Sequence, residues 1–174
     1  MRPALLFVIA CCAATLHIAA AEAIPSSHAE TLTGQKLEFP AALLGKLPGK
    51  PAVCVFGFSK SAGDLTKVWM TRLNEDGVNV WSVADLEKAP SLVRGMIRSS
   101  MRKGTPQALL DHSLILTKDT DLWERAVGAA GESLPVVVLF DASGQIVWKY
   151  QGAFGDEKYR ELKERLATQG SKPL

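Results

Sequence analysis

Leu134-Pro135-Val136-Val137-Val138-Leu139-Phe140-Asp141-Ala142-Ser143-Gly144 is the stretch on which the fold turns. Five consecutive apolar residues, Val136 to Phe140, have the length and composition of a strand covered on both faces. Asp141-Ala142-Ser143-Gly144 supplies turn chemistry, and Gln145 to Tyr150 alternates as the partner strand of a hairpin. Gly152 breaks that strand. Asp156 to Thr168 then places Tyr159, Leu162 and Leu166 on one face of a closing helix.

The same grammar extends upstream. Ala52-Val53-Cys54-Val55-Phe56 is a second apolar strand, followed by the turn Gly57 to Asp64. Asp64 is the expected N-cap of a helix carrying Leu65, Val68, Trp69, Arg72 and Leu73 at helical spacing, and Asp76-Gly77 stops it. Val78 to Ala84 and Ser113 to Thr117 are further strands. Pro90 to Lys103 is a helix ended by Gly104-Thr105-Pro106, and Asp121 to Ala129 is a helix capped by Thr120 or Asp119. Thr31 to Pro40 alternates around Gly34-Gln35 as a short hairpin. Residues 24–30 are expected to be a linker, Gly45 to Pro51 a loop, and 169–174 a tail. Alternating strands and helices predict an α/β three-layer sandwich over residues 31–168: a central mixed sheet, helices on both faces and an N-terminal hairpin extension.

Composition narrows the function. The chain has 174 residues, 20 basic and 18 acidic, so the net charge of +2 gives no footprint for nucleic acid. Residues 1–23 carry Arg2, an apolar run from Ala4 to Ala21, and the small-x-small site Ala21-Glu22-Ala23. They are expected to be a signal peptide cleaved near Ala23, which would make the mature protein periplasmic or secreted. The alternative is a membrane anchor left uncleaved. A lipobox reading of Val8 to Cys11 fails because the apolar run continues beyond the cysteine. Of the 3 cysteines, Cys11 and Cys12 lie in the leader, so only Cys54 would remain. One thiol forms neither an internal disulfide nor a two-cysteine redox centre.

The element order and the Leu134–Gly152 segment resemble the thioredoxin fold. In that segment a cis-proline precedes a strand, an x-x-x-Gly hairpin follows and a glycine closes. The resemblance implies a cis Leu134–Pro135 bond. Thr33-Gly34-Gln35 through Gly49-Lys50-Pro51-Ala52-Val53 resembles the N-terminal extension of the peroxiredoxin and TlpA-like branch. Redox-active members carry one or two cysteines at the start of the first core helix, where the helix dipole lowers the thiol pKa. Here the corresponding stretch is Phe58-Ser59-Lys60-Ser61-Ala62-Gly63-Asp64, which contains no sulfur. Disulfide exchange by this loop is chemically excluded. The layout is also similar to that of the mitochondrial ATP-synthase assembly-factor family, in Trp69, the basic helix with Arg94, Arg98, Arg102 and Lys103, and Gly144 with Trp148. That similarity implies a chaperone for membrane-protein assembly. The export leader departs from a mitochondrial setting.

Two groups are candidate binding residues. Ser59, Lys60, Ser61, Gly63, Leu134 and Pro135 would line a groove for a polypeptide or an anion. Against this stands the reading of Ser59 to Gly63 as an ordinary strand-to-helix turn. A Ser-Lys hydrolase lacks a visible third partner or oxyanion motif. Arg94, Arg98 and Arg102 fall on one helix face, in a run without acidic residues from Ala89 to Leu110. They would meet an anionic membrane surface or an acidic partner, or be simply a solvated face. Leu92, Val93, Met96 and Ile97 are expected on the opposite side. His28, His112 and the acids Asp111, Asp119 and Asp121 do not make a metal site, and no cofactor is expected. The sequence therefore leads to an exported, non-catalytic binding or chaperone-like module with a protein or peptide partner. The alternatives are a thiol-dependent oxidoreductase or peroxidase-like enzyme using Cys54, and a partner subunit of another redox system.

Overall fold

The computed structural model describes residues 24–46 and 49–170. The expected leader, and the tail beyond Gly170, lie outside the described residues. In chain order the elements are β1 (Ser27–Thr31), β2 (Lys36–Phe39), α1 (Ala41–Lys46), β3 (Ala52–Gly57), α2 (Lys60–Glu75), β4 (Val80–Asp85) and α3 (Ser91–Gly104). A short 3-10 helix (Gln107–His112) then leads to β5 (Ser113–Leu116), α4 (Thr120–Val127), β6 (Val136–Phe140), β7 (Ile146–Gln151) and α5 (Asp156–Gly170).

All seven strands form one sheet in the order β2-β1-β5-β4-β3-β6-β7. β3, β4 and β5 are parallel, and the other pairings are antiparallel, so the sheet is mixed as expected. β3 is buried at every position, which is why its sequence is continuously apolar rather than alternating. Cys54 and Phe56 face one layer, with Phe39, Leu43, Trp123, Val138 and Phe140. Val53 and Val55 face the other, with Trp69, Leu73, Val137, Leu139 and Leu162. The tryptophans bring polar handles that the core must satisfy. Trp123 Nε1 donates to Ser27 Oγ at 3.1 Å, and Trp69 Nε1 donates to the Gly152 carbonyl at 3.2 Å.

Three local expectations are corrected. Residues 27–30 belong to β1 rather than to a linker, because β1 sits between β2 and β5 and hydrogen-bonds on both edges. Its polar residues concealed this: Ser27 and Thr31 are buried yet partnered. The segment read as a loop from Gly45 is preceded by α1, whose last residues are Gly45 and Lys46. Asp64 does not cap α2. Ser59 does, accepting from Ala62 N at 3.2 Å with an extended backbone. Asp64 lies past the first turn and pairs with Lys67 at 2.9 Å.

Two glycines suit their places in the fold. A Cβ on Gly57 would lie 3.3 Å from Gly63 N and 3.4 Å from Thr66 Oγ1, so a side chain there would crowd the close approach of β3 and the start of α2. Gly144, at φ +85°, closes the β6–β7 turn in the left-handed region. Around it, Asp141 Oδ1 accepts from Ser143 N, Ser143 Oγ and Gln145 N at 2.7–2.9 Å.

Candidate functional site

The carboxyl ends of β3, β4 and β5 and the amino end of β6 meet at one rim of the sheet. This is where an open α/β sheet leaves a crevice. Ser59 sits on this rim, directly after β3. Its hydroxyl donates to the Glu132 carbonyl at 2.6 Å and accepts from Ala62 N. Ser61 Oγ lies 2.9 Å from Ser59 Oγ. Since the Ser59 proton is already given to Glu132, Ser61 is the donor in that pair. Ser59 therefore uses its single proton and both lone pairs. A serine so committed is a structural group. It is not a nucleophile with a base at hand.

The Glu132 segment is held from a second side. Lys88, three residues beyond β4, places Nζ 2.6 Å from Glu132 Oε1 and 2.9 Å from Glu124 Oε1 of α4. The two glutamates raise the Lys88 pKa, so it is a fixed cation across the neutral range. Gln151 completes the strap, donating to the Gly131 carbonyl at 2.8 Å and accepting from Ala130 N at 2.7 Å. Next to Lys88, Glu87 Oε2 accepts from Thr120 N and Oγ1 at 2.9 and 2.7 Å, which lowers its pKa. Asp85, the last residue of β4, accepts from Glu87 N at 2.6 Å through Oδ1 while Oδ2 is buried without a partner. Burial accordingly pushes the Asp85 carboxyl up.

Of the groove residues named from sequence, Ser59, Ser61 and the Glu132–Pro135 segment are brought together at this rim. Lys60 and Ser61 are exposed and Leu134 is 39% exposed, while Gly63 lies in the first turn of α2, giving its N–H to the Ser59 carbonyl at 2.9 Å. Pro135 is buried, and its carbonyl accepts from Gly152 N at 3.0 Å. The Leu134–Pro135 bond is not cis: among the described residues the cis peptide is Phe39–Pro40. Pro135 stands just before β6, where its missing N–H removes no ladder bond and the trans form is the intrinsically preferred one.

Cys54 lies mid-strand, fully buried in β3 between β4 and β6. Burial raises its thiol pKa well above the ordinary value, so it carries negligible thiolate at neutral pH.

The arginine stripe faces the opposite way from expectation. Arg94 turns inward, with Nε donating to the Ala89 carbonyl and Nη2 to the Glu87 carbonyl, both at 2.8 Å. Arg98 pairs with Glu30 of β1 at 2.5 Å. Backbone carbonyls and one carboxylate thus absorb two of the three charges. Arg102 remains on the surface. Leu92 and Met96 occupy the solvent face instead, at 95% and 73% exposure. Ile97 alone of the four apolar residues expected inward packs toward the core with Met101, on Leu32, Leu86, Leu110 and Ile115.

Sequence reasoning missed Asp85, Lys88, Glu124, Glu132 and Gln151. Lys88 is 36 and 44 residues from its two glutamates, a separation no local pattern spans. The one available signal was position, because residues just after a parallel strand tend to line a crevice. A shallow cavity lined by Lys50, Pro51, Val78, Asn79 and Leu166 lies at the other end of the sheet and includes none of the candidate residues.

No family model and no curated protein matches this sequence. Solved structures do. BsSco, a member of the Sco family of cytochrome c oxidase assembly proteins, superposes with a TM-score of 0.58 at 10% identity, over 86% of this chain and 94% of its own. The pneumococcal exposed lipoprotein thioredoxin Etrx1 from Streptococcus pneumoniae gives 0.56 at 16% identity, over 80% and 99%. The thioredoxin domain of a thiol-disulfide oxidoreductase from Bacteroides vulgatus gives 0.55 at 15% identity, over 84% and 96%. Identities this low speak to architecture alone, and on that architecture the chain has a thioredoxin-like fold.

Proposed function

We propose that this chain is an exported thioredoxin-fold module that holds a polypeptide partner without covalent chemistry, in an assembly or chaperone-like role. The observation that carries the reading is the Ser59 hydroxyl donating to a main-chain carbonyl at the position where redox members of the fold present sulfur. That hydroxyl is spent on bonds within the chain, shaping the rim rather than reacting, and it cannot form a mixed disulfide. The exposed Lys60, Ser61 and Leu134 border the same rim and supply a cation, an acceptor and an apolar contact. BsSco is described as belonging to a family of assembly proteins, and an assembly role for this chain is consistent with the shared fold. The thiol-enzyme alternative is disfavoured by the burial of Cys54 inside the sheet. Export follows the leader reading, with the mature chain beginning after Ala23 and working in the periplasm or outside the cell.

The test uses a permanently unfolded, carboxymethylated polypeptide as probe, which offers neither thiols nor disulfides. Fluorescence anisotropy is expected to show binding that weakens about three- to fivefold in Leu134→Ser, the effect of losing part of one leucine's burial. Lys60→Glu should weaken it as well, and Cys54→Ala should not. Absence of binding, or binding indifferent to the Leu134 and Lys60 substitutions, would overturn the reading.

A further inference from the structure

We infer that the outer face of α3 is a contact site for an anionic phospholipid surface. α3 has no fully buried side chain and rests on the domain through the partly buried Ile97 and Met101. Its outer face begins with Leu92 at 95% and Met96 at 73% exposure, with Val93 at 36% beside them. Leu92 and Met96 are one turn apart on one side of the helix, and Ser99 and Lys103 continue the same line. Arg102 and Lys103 are both exposed, and neither has a partner among the described residues. No acidic residue occurs from Ala89 to Leu110.

Charge and shape together select the occupant. An apolar tip followed by unpaired cations, in a run free of carboxylates, complements an apolar layer beneath an anionic one. Near-complete exposure means that Leu92 projects from the surface. A projecting side chain enters a deformable bilayer interface readily, whereas a protein partner would need a matching pocket. The inward turn of Arg94 and Arg98 fits as well, because it leaves the outer face to the apolar residues and places free charge only at the helix end. α3 and the Ser59 rim are different elements, so this contact stands or falls independently of polypeptide binding.

Hydroxyl-radical footprinting of the full chain, read by mass spectrometry, tests it locally. With phosphatidylglycerol-containing vesicles, labelling of Leu92 and Met96 should fall at least about threefold, as expected for side chains withdrawn into the interface. Pure phosphatidylcholine vesicles should leave it unchanged. Met70, at 5% exposure, serves as the internal control. Arg102→Glu with Lys103→Glu should restore solution labelling, as should about 0.5 M salt. Three outcomes would overturn the inference: no protection on anionic vesicles, equal protection on neutral ones as a leader-driven association would give, or protection only when envelope proteins are added.

Discussion

Ser59 shows how much one side chain decides here. It ends the turn after β3, caps α2 and ties the Glu132 segment down. Ser59→Ala should cost about 1–2 kcal/mol, the range for losing an N-cap together with a side-chain hydrogen bond. Urea unfolding measures it, and a change below about 0.3 kcal/mol would mean that the contacts carry no weight. Asp85 behaves oppositely, since its buried, half-partnered carboxyl is held above its ordinary pKa. The folded state binds that proton more tightly than the unfolded chain. Asp85 therefore costs nothing below the unfolded pKa, about 3.9. It destabilises increasingly as pH rises through the folded value. Asp85→Asn keeps an acceptor for Glu87 N and removes the charge. It should match the wild type near pH 3 and be the more stable at pH 7, as followed by thermal unfolding across pH. A wild type more stable at pH 7 would reverse the assignment. The cap itself was concealed in the sequence. Asp64 is a good capping residue by type, but Lys60, Ser61 and Ala62 accept helical geometry and the helix begins earlier.

At the scale of elements, β1 and α3 were the least legible. β1 is polar in sequence because Ser27 and Glu30 answer distant partners, Trp123 and Arg98, while Thr31 bonds the nearby Thr33. Spacing alone places Arg94, Arg98 and Arg102 on one side of α3, but it does not say which side turns inward. Carbonyls at the end of the β4 loop and one carboxylate on β1 decided that. The Arg98–Glu30 pair links α3 to β1 with side chains 35% and 26% exposed. A double-mutant cycle should give a coupling of about 0.5–1 kcal/mol at low salt, shrinking as salt is added. A coupling near zero would leave α3 held by Ile97, Met101 and the Arg94 bonds to the Ala89 and Glu87 carbonyls. By contrast β3, β6 and the β6–β7 hairpin were plain in sequence, because strands buried on both faces admit little but apolar residues.

For the molecule as a whole, the order of strands and helices was readable and implied the mixed sheet. The rim was readable only in outline. Ser59, Ser61 and Leu134 follow from their places beside apolar strands, whereas the Lys88–Glu124–Glu132 bridge exists only once three distant segments are folded together. The whole architecture surrounds Cys54 with β4, β6 and a layer of aromatic side chains, and places the hydroxyls of Ser59 and Ser61 at the start of α2. The most direct measurement is the rate at which the mature chain, from Ile24 onward, catalyses insulin disulfide reduction by dithiothreitol, run beside Cys54→Ala. Both should match the rate without protein. Acceleration by the wild type that disappears in Cys54→Ala would contradict a non-covalent role.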